Sequence, residues 1–230
     1  KNEEKMSEET AQKALKKIIK NAVDHQFKKI TIKFSGGEAL LELDKLVELV
    51  KLTREILKQV QDDVLPRHAE FSSASVLTVD FVVLTNGTLI TEKVAKILKE
   101  NNLRASVSLD GLEKYNDQNR IFVNGSGSFK LVEKGITALQ KEKVPFNISV
   151  TVTASNLENV PELTKYLLSK NLPFVYNFYR ENALVKEDLE NDDQKMIKYL
   201  KQAYEIIGEN LPKYSLINGL LDRVSFKRPH

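Results

Sequence analysis

The side chains best placed for chemistry are Glu38, Asn86, Ser108, Asp110 and Arg120, most of them closing a short run of alternating apolar residues. Ile30-Thr31-Ile32-Lys33-Phe34-Ser35 reads as a strand, and Gly36-Gly37-Glu38-Ala39-Leu40-Leu41 as a two-glycine turn entering a helix. Paired glycines there predict a backbone turn with φ > 0 and room for a ligand to approach the main chain. Thr85-Asn86-Gly87-Thr88 and Ser108-Leu109-Asp110-Gly111 close two further strands, and Arg120 follows in an irregular stretch. If the strands are parallel, these ends converge on one mouth. A carboxylate, an amide, a hydroxyl and a guanidinium gathered there suit a zwitterionic ligand. Glu38 and nearby carbonyls accept from an ammonium, while Ser108 and Arg120 donate to a carboxylate. Taken singly, each residue has a plainer reading, because Asn-Gly and Asp-Gly are common turn pairs.

The elements that must position these groups follow from periodicity. Ser7 is placed to cap a helix whose apolar positions are Ala11, Ala14, Leu15, Ile18, Ile19 and Ala22. Strand 29–34 follows, then a long amphipathic helix to about Gln61, and then a loop or insertion over about 62–78 containing Pro66 and His68. Strand 79–84, a helix at about 91–101 and strand 103–109 come next. Segment 112–128 is expected to be irregular, with Ser128 capping a helix over 129–142. The chain continues with strand 146–152, helix 158–170 carrying Pro161 in its first turn, strand 173–178 and a helix at about 188–208, ending in a tail from about 209 to 230. The order is one helix and then five βα units, read as a single domain over residues 1–230.

The strands are polar on one face. Phe146, Ile148, Val150 and Val152 oppose Asn147, Ser149, Thr151 and Thr153; Val107 and Leu109 oppose Ser106, Ser108 and Asp110; Ile30, Ile32 and Phe34 oppose Thr31, Lys33 and Ser35. A sheet covered by helices on both faces reads as continuous apolar runs, and a closed TIM barrel fills its lumen with branched apolar residues. Neither pattern fits. The intervening helices indicate parallel crossovers rather than hairpins. The fold expected is therefore α/β, a partial (β/α)-type parallel TIM-like barrel with helices outside and a polar concave face.

Composition narrows the function classes. With 35 basic and 32 acidic residues the net charge is +3, which gives no ground for nucleic-acid binding. No apolar run approaches a membrane span and no signal peptide is visible, so a cytoplasmic protein without a membrane partner is expected. The chain has no cysteine, and its three histidines, His25, His68 and His230, are scattered, so no metal site is expected from these residues. The chain starts without methionine and stops at Lys227-Arg228-Pro229-His230, which is expected of a piece with both ends cut.

At this point the sequence resembles a known family, the radical SAM enzymes, and in particular peptide- and protein-modifying maturases with a C-terminal SPASM extension, such as anaerobic sulfatase-maturating enzymes. Gly36-Gly37-Glu38-Ala39 resembles the family's Gly-Gly-Glu-Pro, which holds the amino group of S-adenosylmethionine, with Ala39 in place of proline. Thr85-Asn86-Gly87-Thr88-Leu89 resembles Thr-Asn-Gly-Thr-Leu, and Ser108-Leu109-Asp110-Gly111 resembles Ser-Leu-Asp-Gly. Asn116-Asp117-Gln118-Asn119-Arg120 resembles His-Asp-x-x-Arg, with asparagine in place of histidine, and Gly125-Ser126-Gly127-Ser128-Phe129 resembles Gly-x-Gly-Ser-Phe.

The resemblance implies an oxidoreductase-type reaction in which a 4Fe-4S cluster reductively cleaves S-adenosylmethionine, and the resulting 5′-deoxyadenosyl radical abstracts a hydrogen from a peptide or protein substrate. It implies an electron donor such as a ferredoxin or flavodoxin. By resemblance, Gly36, Gly37, Glu38, Asn86, Ser108, Asp110 and Arg120 form the cofactor site, with Ser108 and Arg120 on the methionyl carboxylate. Lys33, Thr151, Thr153, Tyr179 and Arg180 are expected on the substrate side. The family's Cys-x-x-x-Cys-x-x-Cys is absent, so the barrel is expected to be of the (β/α)6 type without its first strand, and silent in catalysis by itself. The alternatives are a cluster-free barrel serving as a peptide-binding or scaffold module, and a sugar or nucleotide binder.

Overall fold

The computed structural model describes residues 6–64, 77–178 and 193–212. Helix α1 (Glu8–Asp24) starts at Ser7, whose side chain accepts from the Thr10 amide at 3.2 Å as its sequence position predicts. Its buried residues Ala11, Leu15, Ile19 and Ala22 recur at helical spacing. Leu15, Ile19 and Ala22 close a small core with Ile56 of α2 (Leu43–Val64) and Leu77. Between α1 and α2 lie β1 (Lys29–Phe34) and one turn of 3-10 helix, Ala39–Glu42. Then come β2 (Thr78–Thr85), α3 (Glu92–Glu100), β3 (Leu103–Ser108), α4 (Glu113–Asn119), α5 (Phe129–Lys141) and β4 (Phe146–Val152). A 3-10 turn (Leu157–Asn159), α6 (Val160–Ser169), β5 (Phe174–Phe178) and α7 (Asp193–Glu209) complete the described elements.

The five strands form one parallel sheet in the order β1-β2-β3-β4-β5, curled into a half-barrel. Its convex face carries the main core: Phe81, Val83, Leu103, Ala105, Val107, Ile148, Val150, Val152, Phe174 and Tyr176 pack against helix residues such as Val50, Leu98, Val132 and Leu163. The opposite face is polar, as the alternation predicts. Ser106 pairs in register with Asn147 and Ser108 with Ser149, while Thr151 pairs with Asn177. The Asn147 amide donates to Ser106 Oγ at 3.3 Å and the Asn177 amide to Ser149 Oγ at 2.8 Å. These cross-strand bonds satisfy groups that a closed apolar lumen would leave orphaned.

Four expectations change. Segment 112–128 is not wholly irregular: it contains α4, missed because Glu113-Lys114-Tyr115-Asn116-Asp117-Gln118-Asn119 has no apolar stripe and mostly modest helix formers. Ser128 occupies the N-cap of α5, but its side chain does not cap. Asp117 Oδ1 instead accepts from the Ser128 and Phe129 amides, each at 2.9 Å, and the Ser128 hydroxyl accepts from the Asn116 amide at 3.0 Å. Gly127 makes this possible, because a Cβ there would overlap the Asp117 carboxylate. The loop expected over 62–78 is helical to Val64 and strand from Thr78, and residues 65–76 between them lie outside the described set. Finally, neither Gly36 nor Gly37 is among the glycines with positive φ, which are Gly87 and Gly125.

A carboxylate capping a helix across 11 residues of sequence makes a clear test. Asp117→Ala is expected to lower stability by about 1–2 kcal/mol, while Asp117→Asn, which keeps an acceptor oxygen, loses less. Chemical denaturation reads both. Equal losses would show that charge rather than the acceptor geometry does the capping.

Candidate functional site

The C-terminal ends of β1 and β2 meet through the Glu38 carboxylate. Oε1 accepts from the Leu40 amide at 3.1 Å and from Thr85 Oγ1 at 2.7 Å; Oε2 accepts from the Asn86 amide at 2.8 Å. Glu38 therefore caps the 3-10 turn and fastens the β1 turn to the β2 turn. Thr85 relays this, since its Oγ1 also accepts from the Gly87 amide at 3.0 Å. The Asn86 side-chain oxygen closes its own turn by accepting from the Thr88 amide and hydroxyl at 3.0 and 2.8 Å. Gly87 sits at φ +82°, and a Cβ there would lie 2.8 Å from Val107 Cγ1. The asparagine-glycine pair is thus held from below by the core and from the side by Glu38.

Extending the β2–β3 register by one residue places Asn86 beside Ser108. Among the described residues the Ser108 hydroxyl has no hydrogen-bond partner. Two residues on, the nearly buried Asp110 uses both oxygens on the chain. Oδ1 accepts from the Thr151 amide at 2.8 Å, and Oδ2 receives Arg120 Nε at 2.8 Å and Nη2 at 2.6 Å. Asp110 is a positioning group: it holds the Arg120 guanidinium, whose side chain is 29 % exposed, and leaves Nη1 for a further anion.

Sequence reasoning missed the support beneath this pair. Asn156, 1 % exposed, donates from Nδ2 to the carbonyls of Asp110 and Thr151 at 2.8 and 2.7 Å, and its Oδ1 accepts from the Thr153 amide at 2.9 Å. Asn159 Oδ1 accepts from the Leu112 amide at 2.9 Å. The run Ser155-Asn156-Leu157-Glu158-Asn159 offers two asparagines after a strand end, which is a turn signal with no indication of a partner more than 40 residues away.

The remaining candidates are placed as follows. Lys33 is exposed on the concave face. Thr151 contributes its amide and carbonyl to the network just described, and Thr153 Oγ1 lies 2.9 Å from Ser155 Oγ. Tyr179 and Arg180 lie outside the described residues. Gly36 and Gly37 face open space: a Cβ at either would meet nothing within 4 Å. Neither φ nor packing demands glycine there, so the expectation of a left-handed turn is replaced by one of unobstructed main chain.

Comparison with known proteins decides the family. The model described as Radical SAM superfamily matches residues 2–167, more than half of the chain. The protein belongs to the radical SAM superfamily. An uncharacterized protein of Methanocaldococcus jannaschii is 32% identical to this radical SAM chain over 156 residues, covering 66% of it and 48% of the relative. A cysteine-type anaerobic sulfatase-maturating enzyme of Clostridium perfringens is 26% identical over 231 residues, covering 95% and 56%. The solved structure of native anSMEcpe with bound AdoMet and Kp18Cys peptide superposes with a TM-score of 0.71 at 25% identity, covering 98% of this chain and 59% of that one. The chain thus spans about half the length of the curated relatives it matches. The structural likeness covers the whole half-barrel, including β5, which lies beyond the motifs that carry the sequence resemblance.

The mouth can be tested against the two groups that family implies. For S-adenosylmethionine the donor set fits. After the chain's own bonds are counted, Glu38 keeps one of about four lone-pair positions, Ser108 keeps its hydroxyl and Arg120 keeps Nη1. One acceptor and two donors are what an amino-acid head group, ammonium and carboxylate, requires. For a 4Fe-4S cluster the residues do not fit. There is no cysteine, and among the described residues no group of histidine, aspartate or glutamate could hold a metal.

Proposed function

We propose that this chain is the S-adenosylmethionine-binding half-barrel of a radical enzyme that modifies a peptide or protein. The observation that carries the reading is the division of polar groups at the mouth. The chain itself engages Asp110, Asn86 and most of Glu38, and leaves over an acceptor and two donors matched to a methionyl head group. Glu38 then accepts from the ammonium. Ser108 and Arg120 hold the carboxylate, and Asp110 fixes the guanidinium plane. The bound cofactor supplies the radical chemistry, and the chain's part is to bind, orient and shield it. Residues 1–230 are read as one domain that carries this site, and the tail expected after about 209 lies, from residue 213, outside the described residues.

The same reading carries an electron donor such as a ferredoxin or flavodoxin, and a cytoplasmic setting without nucleic-acid or membrane partners. Its support is the family, the near-balanced charge, and the finding that no described helix is long and apolar enough to cross a membrane. The peptide substrate is supported by relatives solved with a bound peptide. These residues bind the cofactor without turning it over by themselves, because they offer no cluster ligands.

Gly37→Ala tests the site with little structural interference. A methyl there meets nothing within 4 Å of the chain, so thermal stability is expected to hold or to rise by about 0.4–1 kcal/mol. Affinity for S-adenosylmethionine, read by calorimetry, is expected to fall about tenfold because the ligand lies against that main chain. Unchanged affinity with unchanged stability sinks the placement of the cofactor at this turn.

A further inference from the structure

The concave face carries a charge imbalance that the cofactor site does not use. Register places Lys33 beside Val82 and Val82 beside Arg104, so two cations flank one apolar residue in a single row across β1, β2 and β3. Neighbouring strands are spaced by about 4.8 Å, so the two backbones stand roughly 10 Å apart, close enough for both long side chains to close on one group. One row nearer the strand N-termini, Asp80 is held by Lys29 at 2.6 Å, with Arg104 Nη1 only at 4.0 Å. The strands therefore present three cations, Lys29, Lys33 and Arg104, against one carboxylate, Asp80. Among the described residues no carboxylate pairs with Lys33.

Among the described residues, the part of this face formed by β3 to β5 beyond Arg104 is neutral. Ser106 with Asn147 and Ser149 with Asn177 are neutral and bonded to each other. Leu84, two residues on from Val82 on the same face of β2, is 37 % exposed and adds an apolar floor beside Val82. Val82 lies mid-strand on β2, with Lys33 next to the end of β1 and Arg104 next to the start of β3, and the face continues along β2 on both sides of Val82, which leaves a peptide room to pass.

We propose that Lys33 and Arg104 select a peptide substrate by an acidic side chain, gripped over Val82 while the peptide backbone follows the polar rows of the concave face. This rests on the peptide-modifying reading above and adds the substrate's charge. Two cations on one carboxylate gain what an exposed single pair does not, because the partly apolar floor reduces screening and both donors converge on the same oxygens.

The test uses the full chain and an acetylated, C-terminally amidated dodecapeptide library in which one central position is fixed and the others are random. Pools fixed with Asp or Glu are expected to be retained about tenfold more than pools fixed with Asn or Gln. In a Lys33→Glu/Arg104→Glu variant the preference is expected to invert toward Lys and Arg pools; Lys33→Gln/Arg104→Gln guards against a folding artefact and should abolish it. S-adenosylmethionine affinity, measured in parallel, should stay within about twofold in every variant. Peptide binding without acid preference overturns the proposal and leaves the peptide reading standing. Retention that appears only when the same pools are made with free C-termini overturns it in favour of a terminal carboxylate. No retention of any pool overturns both the proposal and the peptide reading.

Discussion

Replacing Arg120 with alanine is expected to weaken S-adenosylmethionine binding about 100-fold, the largest functional loss available at the mouth. Among the described residues the guanidinium is the one full positive charge oriented there, held on the Asp110 carboxylate through Nε and Nη2. A hydrogen bond to a charged group contributes about 1.5–3 kcal/mol, and each 1.4 kcal/mol is about tenfold in affinity. The substitution also leaves Asp110 without its counter-ion beside the incoming carboxylate, so repulsion adds to the lost attraction. Arg120→Lys separates these effects: it returns the charge without the planar fork and is expected to recover only part of the affinity. Ser108→Ala, which removes one neutral donor, should cost less, about tenfold. Calorimetric titration of the three variants reads the order; equal affinities in wild type and Arg120→Ala would place the ligand elsewhere.

The half-barrel was legible because its signals are local. A period of two gives each strand its faces, and Thr151 or Ile148 needs no distant partner to declare a side. Ser7 likewise announces a helix start by a bond to a residue three positions on. The candidate residues were legible as types after strand ends, but not the division of labour among them. Glu38 reaches Thr85 and Asn86 across 47 and 48 positions, and Asn156 reaches Asp110 across 46. No window of sequence contains such a pair, so Glu38 and Asp110 read as ligand groups when most of their bonding capacity holds the chain together.

Other details were hidden for different reasons. Glycine is compatible with every φ, so Gly36-Gly37 suggests a left-handed turn as readily as an open one; only the absence of neighbours within 4 Å decides. The Lys33–Val82–Arg104 row depends on registers between three strands separated by helices, and registers are set by the packing of the convex face. Asn116 shows the limit from the other side. In the sequence it stands where the resembled motif has histidine, which suggests a lost role. In the fold it is fully buried, with Nδ2 donating to Asp117 Oδ1 and Ser128 Oγ while Oδ1 has no partner. That asparagine ties α4 to the start of α5.

Asn156→Ala is expected to produce the largest loss of stability, about 3–5 kcal/mol. The side chain, 1 % exposed, satisfies two carbonyls, of Asp110 and Thr151, and one amide, of Thr153. Each buried group left unpaired costs about 1–3 kcal/mol, and water entering the vacated volume recovers part of the sum. For a chain of this size the loss corresponds to roughly 10 °C in melting temperature, a large share of the 5–15 kcal/mol that holds a typical domain together. Asn156→Asp is nearly isosteric and is expected to do no better, because it points an oxygen at two carbonyl oxygens. The effect should reach the cofactor without contact. Asn156 joins the end of β3 to the end of β4 under Asp110, and Asp110 aims Arg120, so affinity for S-adenosylmethionine should fall in the folded fraction at low temperature. Thermal melts and low-temperature titration together separate the two consequences. A melting shift below about 2 °C would mean that the bonds of Asn156 do not hold the mouth together.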